Sequence, residues 1–284
     1  MTQKIIALID GSSYSASVCD HAAWVSERTG TSVELLHVLG RRDGVAKQDL
    51  SGAIKLGART ALMEELAELD AQRSKLVAHR GRAILEDAHA ILIRAGVSEI
   101  TTRLRHVDIV ETVGEIEGDA TMILIGKRGE AADFAKGHLG SNLERIVRAS
   151  HKPVFVASRA FKPIQKLLVA YDGGVSAMKA VDFIARSPLF AGLHVTVVTV
   201  GAPSGELKKG LEDARAMLRA AGIEAESAVV EGQPETALGK LVAADSVDML
   251  VMGAYGHSRI RSLVIGSTTT EMLRTCKVPV ILVR

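Results

Sequence analysis

Aromatic residues make up only 3% of the 284-residue chain, which leaves few stacking platforms of the kind that hold single-stranded nucleic acid. Neither sign of charge dominates: 35 Lys and Arg stand against 33 Asp and Glu, so no large field marks out nucleic acid or an acidic membrane as partner. The two cysteines, Cys19 and Cys276, lie far apart, with no CxxC and no histidine at metal-ligand spacing. That pattern argues against a zinc site or a disulfide framework and suits a reducing compartment. No apolar run approaches the roughly 18 residues that span a bilayer. The opening MTQKIIALIDGSS enters an apolar strand without the basic region and cleavage site of a signal peptide. The expected location is the cytoplasm, with no membrane partner.

What the chain does hold is enough apolar residue, 47% of the total, for two cores of ordinary domain size. An internal repeat supports that count. Residues 4–10 (KIIALID) return as 166–172 (KLLVAYD), an offset of 162. Residues 120–126 (ATMILIG) are echoed by 247–253 (VDMLVMG), and the Pro153 strand by the Pro279 strand at an offset of 126. The fall of 36 in offset means that the first copy carries extra residues in its middle, placed between Gly40 and Gly96. Residues 58–69 and 84–93 there are rich in helix formers with apolar three- and four-residue spacing, so the insertion, about 41–96, reads as mainly helical.

Each copy reads as strands alternating with helices. In the second the strands fall near 166–171, 194–200, 223–230, 248–253 and 280–284. A strand such as 249–252 is apolar on both faces, as strands buried between helical layers are. The expected fold is therefore α/β: two tandem doubly wound, Rossmann-like domains, each a five-stranded parallel sheet flanked by helices. The boundary is expected near Arg159, giving domains 1–159 and 160–284.

In such sheets ligands sit at the carboxyl ends of the strands, where strand order reverses. After the fourth strand of the second copy come Gly253, Gly256, then nine residues, then Gly266-Ser267-Thr268-Thr269 at the start of a helix. Glycines there would allow positive φ and close approach, and a helix start offers N–H groups and hydroxyls to phosphate oxygens. There is no Gly-Lys-Ser/Thr ending, so this is not a Walker loop. Asp172, closing strand one, would accept from an adenine amino group or a ribose hydroxyl, and the backbone of Val200, closing strand two, would bracket the base.

With these residues on the page, the chain resembles the universal stress protein family, an adenine nucleotide alpha hydrolase-like fold. Its members carry this glycine spacing after strand four and an Asp-Gly-Ser type turn after strand one. The resemblance covers nearly the whole chain twice, apart from the helical insertion. It implies ATP, with or without Mg²⁺, as cofactor at Asp172, Val200, Gly253, Gly256, Gly266, Ser267 and Thr268. Tyr171, Met252 and Thr269 flank these positions, and His257 and Arg259 lie in the loop where phosphates would run. The first copy supplies a second candidate site from Asp10, Val38, Gly126, Lys127, Gly129, Gly140, Ser141 and Asn142. Its loop has ten residues rather than nine before Gly140, although Asp10-Gly11-Ser12 is nearer the family form and Lys127 and Arg128 would meet a phosphate. The resemblance also implies that the Pro153 and Pro279 strands serve in subunit pairing, here satisfied within one chain, with homodimerisation of the fused chain left open.

Structural readings stand beside these. Gly126 and Gly253 would let a strand leave the sheet, Gly140 and Gly266 would permit helix packing, and Asp10 and Asp172 would cap helices. Both cysteines read as small buried hydrophobes. No GxSxG elbow surrounds Ser267, and no activated nucleophile or general base is evident. The first functional reading is thus an ATP-binding module in stress signalling acting on unknown protein partners. The alternatives are a slow ATPase or phosphotransferase and a nucleotide-free scaffold.

Overall fold

The computed structural model describes residues 3–40, 56–129, 139–244, 247–254 and 266–284. The first half runs β1 (Lys4–Leu8), α1 (Ser15–Thr29), β2 (Ser32–Val38), α2 (Leu56–Arg94), β3 (Ile100–Arg105), α3 (Ile109–Ile116), β4 (Ala120–Gly126), α4 (Ser141–Ala149) and β5 (Val154–Ala157). The second runs β6 (Lys166–Ala170), α5 (Val175–Arg186), β7 (His194–Val200), α6 (Gly205–Ala220), β8 (Glu224–Val230), α7 (Pro234–Ala243), β9 (Met249–Gly253), α8 (Ser267–Thr275) and β10 (Val280–Val283).

Strands alternate their side chains between the two faces, and here both faces are apolar. Ile5, Ala7 and Ile9 enter a core covered by α1, α2, α5 and α6. Ile6 and Leu8 enter the opposite core, covered by α3, α4, α7 and α8. Helices follow the matching period: in α5 the buried positions are Ala177, Ala180, Val181 and Ile184. Asp108 caps α3 by accepting from the N–H groups of Val110 and Glu111, and Ser204 caps α6 through Leu207 N–H.

The two expected five-stranded parallel sheets are present, and they are merged into one. The order is β3-β2-β1-β4-β5-β10-β9-β6-β7-β8. All pairings are parallel except that of β5 with β10, which is antiparallel. There Phe155 pairs with Ile281, flanked by Val154 with Leu282 and Val156 with Val280. These are residues that the repeat makes equivalent, so the register is symmetric about its own centre, as an isologous contact requires. Arg28 reinforces the junction from α1, its Nε donating to the Leu189 carbonyl at 2.6 Å.

The described part of the insertion is helical, as expected. The two expected helical segments are one helix, α2, of 39 residues, whereas its counterpart α6 has 16.

Near the junction, His21 is fully buried, donating through Nδ1 to the Ser17 carbonyl at 2.6 Å. Its Nε2 has no partner, and its ring sits 5.2 Å from Phe155 and 5.1 Å from Phe161. Burial lowers its pKa from 6.5 to about 4. Between these values the unfolded chain binds a proton that the folded chain does not, so stability is held above pH 6.5 and falls as the pH drops toward 4. The full loss is on the order of 3 kcal/mol. The check is urea unfolding at pH 7.5 and pH 5: a His21→Leu variant should show less decline than the parent, and an equal decline would assign the acid lability elsewhere.

Candidate functional site

The carboxyl ends of β1, β2 and β4 lie together on one edge of the first half, and those of β6, β7 and β9 on the equivalent edge of the second, which the antiparallel β5–β10 pairing turns to the opposite side of the merged sheet. In each half the residue before the aspartate is anchored to the neighbouring strand. Ile9 N–H donates to Leu36 O at 2.9 Å and Tyr171 N–H to Val198 O at 2.8 Å. Side chains repeat the tie: His37 Nδ1 donates to Ile9 O at 2.6 Å, and Thr199 Oγ1 to Tyr171 O at 2.9 Å. Neither His37 nor Thr199 was singled out from sequence. The available signal was a polar donor at the equivalent, next-to-last position of both strands.

The turn that follows is tight because Gly11 and Gly173 take φ of 78° and 77°, a region costly to residues with a Cβ. The aspartates fold back over it. Asp10 Oδ1 accepts from Ser12 N–H at 3.0 Å and Ser15 Oγ at 3.3 Å, and Asp172 Oδ1 accepts from Gly174 N–H at 2.8 Å. The expected capping role is not seen: these bonds close the turn ahead of each helix, and the N-caps of α1 and α5 are Tyr14 and Gly174, neither with a side-chain cap bond. Asp172 nonetheless stays exposed, while Asp10 is half-buried, with Oδ2 only 3.0 Å from where a Cβ on Gly129 would stand.

The loop after the fourth strand closes the same way in both halves. Gly140 N–H donates to Lys127 O and Gly266 N–H to Ala254 O, each at 3.4 Å. Gly140 and Gly266 then act as N-caps of α4 and α8, neither with a side-chain cap bond, leaving first-turn N–H groups of the kind that bind anions.

Several sequence expectations are corrected here. Gly126, Gly129, Gly140, Gly253 and Gly266 do not take positive φ. What matters at Gly126 and Gly253 is space: a Cβ would come within 2.8 Å of the Cβ of Tyr14 or Ser176, where α1 and α5 begin. Lys127 does not face a phosphate. It is buried, and its ammonium donates to the Cys276 carbonyl at the end of α8 in the other half. Desolvation lowers its pKa to about 8. Tyr171 and Met252 are core side chains, each 5% exposed, so only their backbone borders the edge. The Tyr171 hydroxyl lies 2.8 Å from where a Cβ on Gly210 would stand in α6. Thr269 is also buried and donates to Gly253 O at 3.2 Å, and Thr268 Oγ1 donates to Glu235 at 2.8 Å. Of the hydroxyls at the start of α8, that of Ser267 is the exposed one. Val200 and Val38 close their strands half-buried, and Ser141 and Asn142 are exposed at the start of α4. Gly256, His257 and Arg259 lie outside the described residues.

The cysteines behave as expected. Both are buried, and burial raises the Cys19 thiol to about 12 and that of Cys276 to about 11.

Comparison with known proteins agrees with this architecture. The family model described as Universal stress protein family matches residues 1–158 and 202–284. Universal stress protein Slr1230 of Synechocystis is 36% identical over 99% of this chain and its own full length. Universal stress protein Rv1996 of Mycobacterium tuberculosis is 23% identical over 76% of this chain and 78% of its own. Among solved structures, a universal stress protein from Archaeoglobus fulgidus superposes with a TM-score of 0.74 at 19% identity, covering 100% of this chain and 99% of that one. With the same strand order, aspartate turn and closed glycine loop in both halves, the chain belongs to the universal stress protein family and carries the family's domain twice.

Proposed function

We propose that this protein is an adenine-nucleotide-binding module, with ATP bound in the second half at the edge formed by β6, β7 and the start of α8. The observation that carries the reading is the bond from Gly266 N–H to Ala254 O. It presents a helix start without a side-chain cap on the edge where Asp172 is exposed. Asp172 and the backbone of Val200 would hold the adenosine, while Ser267 and the first N–H groups of α8 would take the phosphates. Among the described residues no group of three or more His, Cys, Asp or Glu would hold a metal, so Mg²⁺ would be carried mainly by the phosphates, with Asp172 its nearest protein carboxylate candidate. The described residues of the edge offer an exposed carboxylate, a hydroxyl and backbone N–H groups, which support a binding module.

The first half is the weaker candidate. Asp10 is engaged by Ser12 and Ser15, Lys127 is committed to Cys276, and Ile84 of α2 packs on Gly11, 2.8 Å from where a Cβ would lie. In this reading the two units meet at Arg159, the β5–β10 seam makes the chain its own pseudo-dimer, and the protein works in the cytoplasm. No described helix is long and apolar enough to cross a membrane.

The test is nucleotide content of the purified protein followed by titration with ATP and Mg²⁺. One nucleotide per chain is expected. Gly266 has φ −58° and ψ 149°, a conformation valine accepts, so Gly266→Val should keep the parent's melting temperature while losing about 100-fold in affinity through the blocked approach to α8. Two nucleotides per chain would restore the first half as a site. No binding at millimolar ATP would remove the nucleotide reading and leave a scaffold.

A further inference from the structure

Among the described residues of the long helix α2, buried positions lie only toward its C-terminal end. The first buried position is Gly81, where a Cβ would meet Leu104, His37 and Leu39 at 2.8 to 3.2 Å, and buried Leu85, Ala88 and Leu92 follow. From Leu62 to Arg80 no side chain is buried, and Met63, Leu69 and Leu76 are 47%, 54% and 69% exposed. That stretch is about 28 Å long at 1.5 Å per residue.

Its surface is not simply solvated. Leu62, Leu69 and Leu76 recur every seven residues, with Leu66 completing the spacing between the first two. This is the seam of a helix that packs against another helix. Its charges are sorted along its length. Glu64, Glu65, Glu68 and Asp70 come first with no basic residue among them, and Arg73, Lys75, Arg80 and Arg82 follow with no acidic one. The helix dipole does not account for this order, because its influence fades within the first and last turns, whereas these residues lie well inside Leu56–Arg94.

We propose that residues 62–80 of α2 pair antiparallel with the same segment of a second copy, making the chain a homodimer through its first-half helix. A two-fold axis near Ala71 sets Leu66 against the partner's Leu76 and lays the acidic stretch of each helix along the basic stretch of the other. A parallel pair would align like charges and bring both bodies to the same end of the helices. The antiparallel pair places the bodies at opposite ends. The second half, whose α6 stops at 16 residues, has no equivalent surface.

The test is the mass of the full chain in solution by light scattering over a wide range of concentration. Twice 30.1 kDa is expected, falling to a single mass in Leu69→Glu/Leu76→Glu with the parent's far-UV circular dichroism at 25 °C, since both side chains are exposed within one chain. Orientation is read from disulfides: a mixture of Leu66→Cys and Leu76→Cys chains should cross-link on oxidation as a heterodimer, while each variant alone should not. A chain that stays monomeric, a dimer that survives Leu69→Glu/Leu76→Glu, or cross-linking of either variant with itself would each overturn the proposal.

Discussion

Phe155→Ala is expected to destabilise the protein by about 3 to 5 kcal/mol and to lower the unfolding midpoint of both halves together. Phe155 is fully buried at the middle of the sheet, opposite Ile281 in the one antiparallel pairing that joins the halves. Its ring also packs against His21 of α1. Truncation removes the transfer energy of the ring and leaves a cavity that neighbouring strands, fixed by hydrogen bonds on both sides, collapse into poorly. Two probes separate local from global loss. Trp24, the only tryptophan, reports the first half, and far-UV circular dichroism reports the whole chain. Coincident transitions shifted by the same amount would show one cooperative unit across the seam. A tryptophan transition that moves while the remainder stays put would show two halves folding on their own.

That seam illustrates what could be read from the chain alone. The repeat marked the inner strands of each half because strands buried on two faces, such as β4 and β9, are apolar throughout, a local property. That the Pro153 and Pro279 strands pair was legible only as an implication of family resemblance, since no local pattern states which strand an edge will meet, and the register that sets Phe155 against Ile281 was not legible at all. The two helical segments of the insertion turned out to be continuous because the residues between them, from Asp70 to Ala83, contain no proline and mostly favour helix.

At the candidate site, Asp10, Asp172 and the glycine loops were found from spacing, but their detailed roles depend on packing. Gly126 and Gly253 are required by the helix that begins against them, and Lys127 spends its charge on a carbonyl 149 residues away in sequence. Neither contact has a signature in the residues beside it. Thr268 shows the same limit, since its partner Glu235 enters from α7.

The pH response of the charge cluster around Glu34 should reverse sign when its cations are removed. Glu34, on β2, is 3% exposed by its side chain and lies between Lys4 of β1 at 2.7 Å and Arg103 of β3. Burial alone would raise its pKa, but hydrogen bonds and charge from Lys4 and Arg103 outweigh that and hold it below the ordinary 4.5. A depressed folded pKa gives stability that is present above the unfolded value and lost as the pH falls through the folded one. In Lys4→Met/Arg103→Met the aliphatic stems are kept, while the carboxylate is left buried without its compensating charges. Its folded pKa should then exceed the unfolded value, so the cost is present at neutral pH and relieved as the pH drops and the group takes up a proton. The expected destabilisation is about 3 to 5 kcal/mol at pH 7.5, shrinking by more than half at pH 4.5, measured as the difference in urea midpoint between variant and parent at each pH. Adding Glu34→Gln to the double variant should recover much of the neutral-pH loss, because an amide in that position has no charge to desolvate. A difference of equal size at both pH values would instead assign the loss to packing of the Lys4 and Arg103 stems, and the buried charge would no longer explain why these three strands hold it.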